Sequence, residues 1–243
     1  MTEQQKEFNK LLKEVSYPSK WQIEGFKDFL ELSHIALAQP FYQSEEMEKR
    51  YLEIAGKYKK EELDKFAKML AIAATALGEK HHDFLGEVFM GNEMGDSYKG
   101  QFFTPYHISY FMAQINLGSI EETIKDKGYF SMCEPTCGSG GIVIACAETV
   151  TKQGFNPSEV MWCQAQDIDN LCFMMTYIQL SLLDVPARVV LGDTLAFEEN
   201  KVLYTPAFIR EDWFGKIDSK DQVANNSGYS QEQLEIFANG VLF

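Results

Sequence analysis

The chain has 243 residues, 45% of them hydrophobic and 24% charged, a composition that supports a sizeable buried core and excludes an extended disordered chain. Its formal net charge of −14 and pI near 4.7 argue against unaided binding to nucleic acid, which normally needs a basic stripe to neutralise phosphates. The longest apolar run, Met69 to Leu77, is too short to span a bilayer, and the polar start Met1-Thr2-Glu3-Gln4 is no signal peptide.

Residues up to about 95 read as helical. Trp21, Phe26, Phe29, Leu30 and Leu37 predict a helix that stops near Pro40, where the ladder loses a donor. Glu45 to Lys60 reads as a solvated helix face. Leu63, Phe66, Leu70, Ala73, Ala74 and Leu77 then recur at three- and four-residue spacing, with Glu61, Asp64, Lys65 and Lys68 on the other face. His81 and His82 diverge around a helix and read as a surface pair. Gly91 to Gly100, with Asn92, Asp96 and Ser97, is a polar loop that marks a boundary.

Beyond it strand and helix alternate. His107 to Leu117 reads as a helix, Tyr129 to Cys133 as a strand and Gly141 to Gln153 as a helix. Val160 to Ala165 is a strand, Asn170 to Leu183 a helix and Arg188 to Leu191 a strand. Such alternation predicts a parallel sheet covered on both faces, with ligands at the carboxyl ends of its strands. Glu198 to Asn200, Glu211 to Lys220 and Asn225 to Ser230 read as loops, and Gln231 to Ala238 as a last short helix. The organisation is thus a helical region over 1–95 and an α/β domain over 96–243. Cys133, Cys137, Cys146, Cys163 and Cys172 all fall on its predicted elements, which fits reduced thiols in a cytoplasmic protein. Cys133 and Cys137 lack zinc-site spacing, so no metal is expected.

The densest signal is Phe130-Ser-Met-Cys-Glu134-Pro-Thr136-Cys-Gly138-Ser-Gly140-Gly141. It is a strand ending in a carboxylate, a glycine turn that lets backbone approach a ligand, and a helix start offering free N–H groups. Glu134 would repel a pyrophosphate and suits a ligand with an ammonium and hydroxyls, as S-adenosylmethionine has. Upstream stands Gly100-Gln101-Phe102-Phe103-Thr104-Pro105; Thr104 would cap the following helix, with Pro105 at its first position. Downstream, Asp167 and Asp169 compete for a role on vicinal ribose hydroxyls, which two carboxylate oxygens match. Leu191-Gly192-Asp193-Thr194-Leu195 places another acid after a strand, where it would also serve simply to cap a turn.

Together, in this order over Asp83 to Leu195, the segments resemble the adenine-N6 DNA methyltransferases, specifically the modification subunits of type I restriction-modification systems. The resemblance implies a Rossmann-like S-adenosylmethionine-dependent methyltransferase fold with an N-terminal helical region, shortened in its C-terminal part. It implies that Phe103, Thr104 and Pro105 lie beside the methionine end of the cofactor. Glu134 would face the cofactor's amino group or the turn's amides, with Thr136, Gly138 and Gly140 in the turn. Asp167 would bind the ribose, Ile168 would pack on the adenine, and Asp193, with Thr194 and Leu195, would take the adenine amino edge.

One departure stands beside the match. That family carries Asn or Asp, then Pro-Pro, then an aromatic residue after the fourth strand, to aim the target nitrogen and stack on the flipped base. None of the seven prolines here is adjacent to another. The nearest counterpart is Tyr204-Thr205-Pro206-Ala207-Phe208, which makes Thr205, Pro206 and Phe208 the catalytic candidates. Few residues follow Leu195, leaving little room for a target-recognition domain. The expectation is a cofactor-binding methylase subunit or domain whose DNA-handling half is degenerate or supplied by a partner. That partner would be a methylase or specificity-type subunit, or a second copy of the chain; no membrane is involved. Two alternatives stay open: an inactive cofactor-binding module acting by association, as a decoy or regulatory subunit, and a methyltransferase for a non-DNA acceptor.

Overall fold

The computed structural model describes residues 1–16, 22–94, 102–217 and 241–242. The first 94 residues supply α1 (Glu3–Ser16), α2 (Gln22–Tyr42), α3 (Glu45–Ala55), α4 (Lys60–Glu79) and α5 (Phe84–Gly91). Their shared interior is aromatic: Phe8 of α1 meets Phe29 edge-on at 5.1 Å and Phe84 at 5.5 Å, and all three are fully buried. Helix α2 runs two residues past Pro40. Its last turn is held because the Tyr42 hydroxyl donates to the carbonyl of Tyr204 and accepts from the Tyr204 amide.

Then follow α6 (Tyr106–Leu117), α7 (Glu121–Lys127), β1 (Phe130–Glu134), α8 (Gly141–Lys152), α9 (Pro157–Val160), β2 (Met161–Asp167), α10 (Asn170–Leu182) and β3 (Ala187–Leu191). The chain continues as β4 (Lys201–Tyr204), α11 (Pro206–Arg210) and the two-residue β5 (Val241–Leu242). The short helices α7 and α9 carry no periodic apolar signal and are new relative to the sequence reading. Residues 213–217 are helical where a loop was expected. The expected loop at 225–230 and helix at 231–238 lie outside the described residues, as does most of the 91–100 loop.

The sheet order is β4-β3-β2-β1-β5, with β5, β1, β2 and β3 parallel and β4 antiparallel to β3. This is the Rossmann-like α/β fold that the resemblance implies, and four of its five described strands form the parallel sheet that the alternation predicts. Helix α10 is buried almost all round, from Cys172 to Leu180, because it lies between the sheet and α2. The helical region and the sheet therefore share one apolar core, running from Phe8 and Phe29 through Phe173 and Ile178 to Val189. All five cysteines are buried and unbridged. Among the described residues no helix is long and apolar enough to cross a membrane.

Candidate functional site

The glycine turn is built by short-range geometry. Strand β1 ends at Glu134, and the chain reverses through Gly138 at φ +55° and Gly140 at φ +94°, where side chains strain the backbone. Gly140 is the cap from which α8 departs. Room is short as well as torsion: a Cβ on Gly138 would stand 3.1 Å from the Phe103 ring, and one on Gly140 3.1 Å from the Thr176 hydroxyl. Thr176 holds the turn from behind, its hydroxyl donating to the Gly138 carbonyl at 3.0 Å.

The acids converge on this turn from neighbouring strands. Asp167 closes β2, and its Oδ2 accepts from the Gly138 amide at 2.8 Å while Oδ1 accepts from the Asp169 amide at 2.9 Å. Asp169 caps α10, accepting from the amides of Leu171 and Cys172. Glu134 Oε1 accepts from the amide and hydroxyl of Thr136, and its Oε2 accepts no hydrogen bond from the described residues. Burial pushes the Glu134 carboxyl above the usual carboxylate range, and the nearby Asp167 adds to the rise. Burial likewise raises Asp167, against the lowering effect of its amide donors.

A cleft of about 300 Å³ opens here, walled by Phe103, Thr104, Glu134, Thr136, Gly138 and Ser109 of α6. Phe103 stacks on Phe89 at 5.5 Å, so the helical region holds the aromatic wall in place. Thr104 is not the helix cap: Pro105 takes that position, α6 begins at Tyr106, and no side chain caps it. Pro105 faces a neighbouring groove with Tyr106 and His107, apart from Phe103 and Thr104. Beyond β3, Thr194 ties its loop to the turn by donating to the Pro135 carbonyl at 2.6 Å. Asp193 Oδ1 accepts from the amides of Leu195 and Ala196, the turn-capping role that its position also allowed. Ile168 and Leu195 are exposed at the same edge.

The catalytic candidates lie elsewhere. Because β4 is antiparallel to β3, its end at Tyr204 pairs with Arg188, near the start of β3. Thr205, Pro206 and Phe208 therefore sit at the amino end of the parallel strands, while Glu134 and Asp167 close the carboxyl ends. A five-residue strand separates the two edges by roughly 16 Å at the usual rise. Thr205 is fully buried, its hydroxyl donating to the Val185 carbonyl and accepting from the Ala187 amide. Phe208 is 2% exposed in a cluster with Trp162 and Trp213, so no base can stack on it. The structure does not bring these three residues to the cleft: Thr205 and Phe208 are packed in the interior at the opposite edge of the sheet.

The residues present fit a ligand with an ammonium and hydroxyls. Glu134, raised by burial, faces the cleft together with a glycine turn at positive φ, and Asp167 is bonded to that turn at the Gly138 amide. A family model described as N-6 DNA methylase matches residues 80–240. Comparison with curated proteins found no match. A solved structure from Listeria monocytogenes, provisionally described as a class I S-adenosylmethionine-dependent methyltransferase, is 16% identical with a TM-score of 0.44. The alignment covers 82% of this chain and 56% of that one, so the chain spans little more than half that protein's length.

Proposed function

Since the chain belongs to the N-6 DNA methylase family, we propose that it binds S-adenosylmethionine at the carboxyl edge of β1, β2 and β3 and serves as the cofactor-holding part of an adenine-directed DNA methylase. The observation that supports this most is the strained glycine turn, which lines the cleft with Glu134 and is held by Asp167 through the Gly138 amide. In this reading Thr104 and Glu134 receive the amino-acid end. Gly138 and Gly140 pass close beneath it, and Asp167 takes the ribose hydroxyls. Ile168 and Leu195 are apolar surface for the adenine, whose amino group Asp193 accepts. When bound, the cofactor supplies the activated methyl group.

Transfer to DNA needs the target nitrogen held in line with that methyl, a positioning effect worth roughly 7–11 kcal/mol of barrier. Thr205 and Phe208 face the wrong end of the sheet for this, and the net charge of −14 repels a polyanion. We therefore assign the DNA-handling role to a partner chain and none to this chain alone. Calorimetric titration with S-adenosylmethionine, followed by label transfer to unmethylated DNA, tests both halves. The expected result is binding without transfer by the isolated chain, and transfer once a partner subunit is added. Absence of binding would overturn the cofactor assignment, and transfer by the chain alone would overturn the partner assignment.

A further inference from the structure

One buried carboxylate lies at the base of the same cleft, beside Ser139, and outside the motifs that locate the cofactor. Asp83 precedes α5, is 3% exposed, and caps that helix by accepting from the Gly86 amide at 3.1 Å. Capping alone would not require burial, nor a carboxylate where serine or asparagine serves as well. The same side chain reaches 56 residues along the chain to Ser139, whose hydroxyl donates to Asp83 Oδ2. Its Oδ1 also accepts from Gln179 Nε2 of α10 at 2.8 Å.

Gln179 completes the brace. Its Nε2 donates a second hydrogen to the Ser139 carbonyl at 2.8 Å, and its Oε1 accepts from the Leu85 amide at 2.9 Å. Ser139, set between Gly138 and Gly140, is thus gripped at its hydroxyl and at its carbonyl. No lysine or arginine pairs with Asp83 among the described residues, so its charge is met by oriented donors alone. Space around it is closed too: a Cβ on Gly86 would collide with Asp83 and Ser139, and one on Gly141 would stand 3.3 Å from Asp83 Oδ2.

We propose that Asp83 is a positioning residue for the cofactor: through Ser139 it locks the glycine turn in its ligand-ready conformation, so the N-terminal helices tune the affinity by holding that turn. This rests on the cofactor reading above. A turn with two residues at positive φ has a large conformational freedom to lose on binding, and a brace that removes it beforehand raises affinity. Burial raises the Asp83 carboxyl, yet a proton on it would still reach Ser139, so the brace persists in either state.

The test measures S-adenosylmethionine affinity by calorimetry and amide hydrogen exchange at residues 137–141 in the unliganded chain. Ser139→Ala leaves the α5 cap in place, and should weaken binding about tenfold, the effect of losing one hydrogen bond to a charged group. It should speed exchange in the turn and leave α4 and α5 unchanged. Asp83→Asn keeps the cap and can donate to Ser139, so it should stay within about threefold of the parent, while Asp83→Ala combined with Ser139→Ala should be no worse than Asp83→Ala alone. Parental affinity and parental exchange in Ser139→Ala would overturn the proposal. Should the parent chain itself fail to bind, the cofactor reading falls, and the exchange at 137–141 still decides whether the brace exists.

Discussion

The two ends of the parallel sheet use their polar groups in opposite ways. At the amino end, Thr205 spends both its donor and its acceptor on backbone, Trp213 Nε1 donates to the Ser158 carbonyl, and Phe208, Trp162 and Trp213 close over them. At the carboxyl end, Glu134 and Asp167 are half-buried, pushed up by burial, and set beside backbone that only glycine adopts easily. At the first end Thr205 and Trp213 are paired within the protein, although Trp162 Nε1 is buried there without a hydrogen-bond partner among the described residues. The second carries a cost that a bound cation and hydroxyls would relieve, which is the expected signature of a binding edge.

Substitutions should separate the two ends. Phe208→Ala should have the largest effect, removing about 3–5 kcal/mol of stability, as truncating a buried aromatic does. Its S-adenosylmethionine affinity, measured well below the unfolding transition, should match the parent. A selective loss of affinity would restore Phe208 to the site and break the contrast. Asp167→Ala should do the reverse. It removes the acceptor of the Gly138 amide and the proposed ribose contact, and should weaken binding by about 1–3 kcal/mol in calorimetry. Unchanged affinity in both Asp167→Ala and Asp193→Ala would sink the cofactor assignment.

The smallest effect sharpens the comparison most. Burial raises the Glu134 pKa in the folded chain above its unfolded value, so the ionised carboxylate destabilises the unliganded fold near neutral pH. That penalty shrinks as pH falls through the raised folded value and is gone below the unfolded one. Glu134→Gln keeps the oxygen that accepts from Thr136 and carries no charge. It should unfold at a higher temperature than the parent at about pH 7.5 and lose that advantage toward about pH 4. An advantage that instead grows with acidity would mean that Glu134 is a stabilising anion.

Much of the binding edge was legible in the sequence because it is local. A strand, an acid, a glycine turn and a helix start lie within a dozen residues, and the periodicity on either side places Asp167 at the next strand end. Even there, details one residue wide escaped: Pro105 and not Thr104 caps α6, and Asp193 turns its Oδ1 to its own loop. Asp83 stood in the sequence only as the start of the family resemblance, since nothing in its neighbourhood signals Ser139 or Gln179.

What the chain order alone determined about this protein is its alternation of strands and helices, its acidic surface, and a glycine turn whose torsions follow from residue type. Only the tertiary structure decided which way β4 runs. Strand direction is set by long-range pairing and by which face can be buried, and neither is written in the four residues Lys201 to Tyr204. Antiparallel pairing with β3 carried the Thr205–Phe208 segment to the far end of the sheet, where Thr205 and Phe208 are buried. The same long-range packing brought Asp83 beneath the glycine turn, because α5 and α10 meet there only when the core is formed.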